Sequence, residues 1–469
     1  MKNTKKILAL LLALVMMMTL FVGCGEKAAD DGHDHSHEAE TETEAELEPA
    51  ELVMGHHTNA YGLQSFSVHY TPTASGDEFD YMNEDGKLIS LSQEEVDALL
   101  NQVVATCGDY TLNNKMLALA YQEQYYQFYQ AYGMYMMLMM DGSKGLDEQV
   151  GADGTNTWQY MFVEAGATMF HRLAAVGMEV KAVGFDLTDA QEKLAQGRKN
   201  LEDSAAQVGY TDLKKFASDY FGPGITLDDY LAFLEMQSVF NSYTEHLQSL
   251  VEVTEDEIDA YWAENEQTLT ENNGLKKIDK NVVDVRHILI APEETTAEDG
   301  TTSISEEAWA AAEAKAKTIY EQWKSGEATE ESFAELVPQH TEDPGSAQTG
   351  GLYEDVYPGQ MVETFDAWCY EDGRQVGDHG IVKTDYGYHI MYFSGEGDYV
   401  YWRKTVKDMI ISTAVSEQLT EIDAKYPVER DLTKAVILDT TAPTVPAVEE
   451  ETEAEQPVEE HVHTEACEH

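Results

Sequence analysis

The stretch "TDYGYHIMYF", residues Thr384–Phe393, decides how this chain is to be read. Tyr388, Ile390 and Tyr392 alternate with His389, Met391 and Phe393, and Gly387 stands just ahead. A short run of aromatic and β-branched residues suits a pleated, half-buried strand. A lone histidine in such a strand ordinarily makes one hydrogen bond within a core. Its meaning changes when a second histidine-bearing strand and an acidic loop lie upstream. Both are present: "VVDVRHILI" (282–290) and "SFAELVPQHTEDPGSAQTGG" (332–351).

The whole chain sets bounds around this stretch. Its 469 residues suffice for two or three domains and a sizeable core. With 88 acidic against 29 basic residues the formal net charge is -59. Such a charge repels nucleic acid and anionic membrane surfaces and attracts basic unfolded chains. Lys2, Lys5 and Lys6 precede an apolar run from Ile7 to Val22, broken by Thr19 and ending in "FVGCG". That is the pattern of a secretory signal over 1–23. A cysteine directly after Gly23 resembles a lipobox, with Phe21 where leucine is usual, so Cys24 is the expected lipidation site and membrane anchor. No second segment is apolar enough to span a membrane. Cys107, Cys369 and Cys467 show no paired spacing, so no disulfide framework or zinc knuckle is read.

Residues 24–56 and 442–469 are acidic, histidine-bearing and without hydrophobic period. That composition cannot bury a core, and both read as disordered extensions. Their histidines (His33, His35, His37; His56, His57; His461, His463, His469) suit weak metal capture without fixed geometry, and no metal site is assigned. From 95 to 280 the signals are helical: 92–104, 111–140, 157–180, 187–210 from a Thr188 cap, 226–253, and 254–267. Ser92 with Glu95 and Thr254 with Glu257 form capping boxes. The period then changes to a compact α+β unit over 282–396, after which 397–440 returns to helix. The expected fold class is therefore α+β: an α+β domain inserted in a mostly α-helical domain, with disordered acidic termini. The Met- and Tyr-rich stretch 116–140 fits a helical core, and also an adaptable surface for unfolded chains.

The inserted unit resembles a parvulin-type peptidyl-prolyl isomerase domain. The residues that carry the resemblance are "VRHILI", "SFAELVPQHTEDPGSAQTGG", "PGQMVETFD" and "TDYGYHI", in that order and at the family's spacing. The resemblance implies that His287 and His389 lie side by side beneath a substrate proline. It implies that Asp343, in a loop one residue longer than the family's shortest forms, supplies the acidic group, and that Thr384 bonds the histidines. Met361 and Phe365 would wall the proline pocket, with Tyr386 at its flank. Where the family shows "GGDLG" this chain has "GGLYE" (350–354), so the walling leucine is Leu352 shifted by one, or Tyr353. The acidic "APEETTAEDG" after the first strand excludes recognition of phosphoserine before proline.

The flanks resemble SurA- and PrsA-type exported foldases, through "VVATCGDYTLNNKMLALA" and "VTEDEIDAYWAEN". With the lipobox cysteine, this implies a folding factor lipid-anchored at the outer face of a Gram-positive cell membrane, with X-Pro-containing unfolded exported proteins as partners. The reaction breaks no bond, so no cofactor is expected. Two alternatives stand beside it: a chaperone that uses the isomerase-like domain only for binding, and a metal-capturing surface lipoprotein.

Overall fold

The computed structural model describes residues 56–73, 76–296 and 302–439. The signal segment, Cys24, the tether before residue 56 and the tail 442–469 lie outside the described residues. The described chain forms two compact units. One runs to Leu247 and resumes at Gln418; the other is Gln248–Glu417.

The second unit is built on a four-stranded antiparallel sheet, in spatial order Leu352–Val356, Asn281–Ile290, Gly387–Val400, His379–Thr384. The period-two pattern sorts its two inner strands onto two faces. Ile288, Ile290, Ile390 and Tyr392 pack under the helices Glu306–Ser325 and Glu330–His340, against Ala316, Trp323, Phe333 and Val337. Val283, Val285, Met391 and Phe393 face the short helix Glu363–Cys369, through Phe365 and Cys369. Each such side chain contributes about 1.5–3 kcal/mol by leaving water. His287 and His389 fall on this second face because their odd positions match Val285 and Met391. Ser305 and Gly326 cap the Glu306–Ser325 helix.

Residues 248–280 and 399–417, grouped on sequence with the helical part, fold with this sheet unit instead. Ile258, Trp262, Leu269 and Leu275 share one core with Trp402 and Val406, and the two indole rings meet edge-on at 5.0 Å. The capping box at Thr254 is present.

The first unit carries the helices Gln93–Asn101, Asn114–Tyr132, Trp158–Val183, Thr188–Gln207, Leu213–Phe221 and Leu227–Leu250. Three differences from the sequence reading have local causes. The stretch 111–140 is not one helix: Tyr110–Asn113 is a strand, and Gly133, at φ 49°, caps the helix before a separate turn at Met136–Met139. Thr188 is the first helical residue rather than its cap, and its hydroxyl bonds Asp186 at 2.7 Å. Residues 57–91, left without elements, hold strands, among them Ser67–Thr73, Gly76–Met82 and Leu88–Leu91. His56 and His57, read as part of a floppy tether, lie here in folded chain: His57 packs on Tyr81 at 4.9 Å, and His56 faces Phe66.

The chain after Gln418 is woven into this unit. Ile437–Asp439 pairs in parallel with Ser67–His69, and Glu429–Arg430 pairs with Ala105–Thr106. Asn114, fully buried, clamps the join: its amide donates to Lys434 O at 3.0 Å, and its oxygen accepts the Val436 N–H at 2.9 Å. Cys107 and Cys369 are buried free thiols.

Candidate active site

Two neighbouring strands bring the histidines together. The register sets His287 opposite Met391 and His389 opposite Leu289, a diagonal offset of two on one face. Their rings lie nearly parallel, with centroids 5.2 Å apart and planes at 21°. The Nδ1 atoms approach to 3.0 Å. Only 2% and 6% of the two residues is exposed, so the pair sits largely out of water. Phe365 stands edge-on to both rings, at 5.7 and 5.3 Å.

The acidic loop is tied to the same strand. Leu289 N–H donates to Thr341 Oγ1 at 3.2 Å, and Glu342 N–H donates to Leu289 O at 2.9 Å. The Gly345 and Ser346 N–H groups then close the turn onto the Asp343 carboxylate. This puts Asp343 Oδ2 2.9 Å from His287 Nε2. Ser346 and Tyr353 also donate their hydroxyls to Oδ2, at 2.5 and 2.8 Å. The double glycine lets the loop lie flat on the strand. Gly351 has φ +77°, and a Cβ there would come within 2.4 Å of the His287 carbonyl oxygen. Its own carbonyl accepts the His287 N–H at 2.9 Å.

Charge states follow from this geometry. Burial lowers the pKa of His287, against the pull of Asp343. Burial, with His287 adding to it, brings His389 down to about 3. Both rings are therefore neutral at pH 7. Burial alone would raise the Asp343 pKa; the bonds from Ser346, Tyr353 and the Gly345 N–H outweigh it and hold the carboxyl well below its usual range. Burial, then the adjacent carboxylate, pushes Tyr353 up to about 12. The ion-pair distance between His287 and Asp343 is thus a hydrogen bond from a neutral ring.

One placement of protons serves the line of contacts from Asp343 to Thr384. Asp343 is ionised and can only accept, so His287 donates from Nε2 and offers its Nδ1 lone pair. His389 then donates from Nδ1 and keeps Nε2 as an acceptor. The Thr384 hydroxyl, 2.9 Å from that nitrogen, donates to it, and accepts the Tyr386 N–H at 3.1 Å. Thr384, His389, His287 and Asp343 thus form one hydrogen-bonded line.

The expected pocket residues separate. Phe365 is buried over the pair, and Met361 packs at the edge of the cluster around Val285 and Phe365. Tyr386 is 65% exposed. Strand alternation turns Leu352 to the other face, so Tyr353 is the side chain on the site: its ring stacks on His287 at 4.8 Å. Ser346, fully buried and 3.1 Å from His287 Nε2, was not anticipated. Its signal was the D-P-G-S order, in which a turn folds the serine back onto the aspartate.

A match to known proteins falls on these elements. The family model for Rotamase, the PPIC-type PPIASE domain, matches residues 287–395. The chain thus carries a parvulin-type peptidyl-prolyl cis-trans isomerase domain. It is 35% identical over 112 residues to foldase protein PrsA 1 of Listeria innocua, covering 23% of this chain and 37% of that one. It is 30% identical over 168 residues to foldase protein PrsA 4 of Bacillus cereus, covering 36% and 50%. The matched part spans between about a third and a half of these relatives. Among solved structures, PrsA from Bacillus subtilis is 21% identical with a TM-score of 0.25, covering 61% of this chain and 93% of that one. Among the described residues no helix is long and apolar enough to cross a membrane.

Proposed function

We propose that the protein is a peptidyl-prolyl isomerase and folding factor for exported proteins, held at the outer face of the membrane by a lipid on Cys24. The single observation that carries the catalytic part is the neutral histidine pair locked between Thr384 and an ionised Asp343. The uncatalysed barrier is ~18–20 kcal/mol because resonance resists rotation about the peptide bond. At the twisted midpoint the carbonyl loses charge and the nitrogen regains a lone pair. His287, His389, Asp343 and Thr384 are a set of polar groups fixed before substrate arrives, so they pay no reorganisation as that charge moves. Phe365 and the Tyr353 ring, with Met361 nearby, offer the apolar surface that holds a proline ring. No covalent bond changes, so the site needs neither nucleophile nor cofactor.

The clients proposed are unfolded exported chains with X-Pro bonds. The foldase relatives and the acid-rich composition support this reading. The test is a protease-coupled isomerase assay on the full chain. His287→Ala and His389→Ala should each lower the rate at least tenfold, about 1.4 kcal/mol or more of barrier, with the circular dichroism spectrum kept. Full activity in both would end the catalytic assignment, and leave the domain a binding module. Labelling Cys24 with a radioactive fatty acid in cells, against Cys24→Ser, tests the anchor.

A further inference from the structure

The first unit contains a groove that isomerase chemistry does not use. It lies among the helices Asn114–Tyr132, Trp158–Val183 and Leu227–Leu250, with a volume of about 860 Å³. That is roughly the upper range of ligand sites, and holds several residues of extended chain. Met169, Leu173, Leu234 and Phe240 make an apolar lining that joins a buried core. Carboxamides share the wall: Gln124 and Gln127 on one helix, Gln237 and Asn241 one turn apart on another. A carboxamide offers a donor and an acceptor together, the complement of a peptide unit.

Charge decides which chain would enter. The groove's cations are already answered: Arg172 by Asp423 at 2.7 Å, Lys193 by Asp189 and Glu245 at 2.5 and 3.0 Å. Glu164 meets Arg430 at 2.5 Å. Two carboxylates of the lining meet no cation among the described residues: Asp153, exposed and held by the Thr155 and Asn156 N–H groups, and the half-buried Glu123. The partner of Glu123 among the described residues is a neutral amide, that of Gln127 at 2.8 Å. Burial raises its carboxyl pKa and the Gln127 bond only opposes this. A cation arriving beside Glu123 would restore what burial removes.

We infer that this groove binds an extended polypeptide segment, holding its backbone with the carboxamides and selecting a lysine or arginine side chain at Glu123, next to apolar residues. This names a client chemistry within the foldase reading above and rests on it. The net charge of -59 attracts any basic peptide at long range, but Glu123 is one charge of that total. A large effect from removing it is therefore local, the more so where salt screens beyond ~8 Å.

The experiment uses the full chain at 0.15 M salt and two proline-free fluorescent nonapeptides. One alternates Lys with Leu and Phe; the other carries Glu in place of Lys. Anisotropy should give at least tenfold tighter binding of the basic peptide. Glu123→Gln should cut that preference at least fivefold, while Gln237→Ala/Asn241→Ala weakens both peptides alike. All variants should melt as the parent does and keep the parent's rate on a short proline test peptide. That rate reports the isomerase separately, so its loss in the parent would sink the earlier reading and not this one. Equal binding of the two peptides, or an undiminished preference in Glu123→Gln, would overturn the proposal.

Discussion

Tyr353 shows how one side chain sets the state of several others. Its hydroxyl is one of the donors that keep Asp343 ionised, and its ring covers His287. A hydrogen bond to a charged group is worth ~1.5–3 kcal/mol. Tyr353→Phe should therefore raise the Asp343 pKa by about a unit or more, seen as a shifted carboxyl carbon titration, and slow the isomerase several-fold. Tyr353→Leu should keep an apolar wall while losing the same hydroxyl, and so shift the titration in the same direction. An Asp343 midpoint indifferent to both would show that Ser346 and the turn N–H groups suffice. Acid should reveal the histidines. The unfolded chain protonates His389 near 6.5, the folded chain only near 3. Its contribution is complete above 6.5 and is lost as pH falls towards 3, at ~1.4 kcal/mol per unit. Asp343, depressed below its unfolded value, adds a loss in the same direction at still lower pH. Hydrogen exchange at the Val285–Ile290 amides should accelerate steeply from pH 6.5 to 4, after correction for intrinsic rates. A flat corrected profile would mean that a ring is already charged in the folded state.

At the scale of elements, legibility followed locality. The two inner strands and the capping boxes were readable because alternation and caps are written within a few residues. His287, His389, Asp343 and Thr384 converge as the family resemblance implied. Tyr353 against Leu352 was a question of which face a residue takes, and register settles it only once Tyr353 is paired with Val285. The strands over 57–91 went unread for another reason. Ser65, Ser67 and His69 are buried beside Phe66 and Val68, so both faces are covered and polar residues sit where the pattern expects solvent. Their partner Ile437–Asp439 lies at the other end of the chain. The loop elements carry the sharpest prediction. Gly351→Ala places a methyl group against the His287 carbonyl in a left-handed conformation. It should destabilise the second unit by more than ~2 kcal/mol, read as a lowered urea midpoint, and slow the isomerase. A midpoint matching the parent's would show that the loop can move off the strand.

On the scale of the molecule, the sheet unit is an insertion. Ala435, Val436 and Ile437 are almost wholly buried in the first unit, although they follow the isomerase domain in sequence. Truncation after Lys425 should therefore unfold the first unit while the second stays intact, and a thermal melt should show one transition where the parent shows two or a broader one. Retention of the first unit's helical signal would contradict this. Asn114→Ala should act in the same direction more mildly, since it leaves the Val436 N–H buried without its acceptor.

The parallel pairing of Ile437–Asp439 with Ser67–His69 also fixes an order in time. If the protein is exported as proposed, a chain threaded outward from its first residue exposes the strands near Ser67 long before their last neighbour emerges. Those strands must wait, edge open, through roughly the whole length of the molecule, and closing so long a loop costs entropy that grows only slowly with length. The isomerase domain meets no such delay, because Gln248–Glu417 is contiguous. Under the export proposed above, it should resist protease first as the chain emerges, leaving the older residues to finish last.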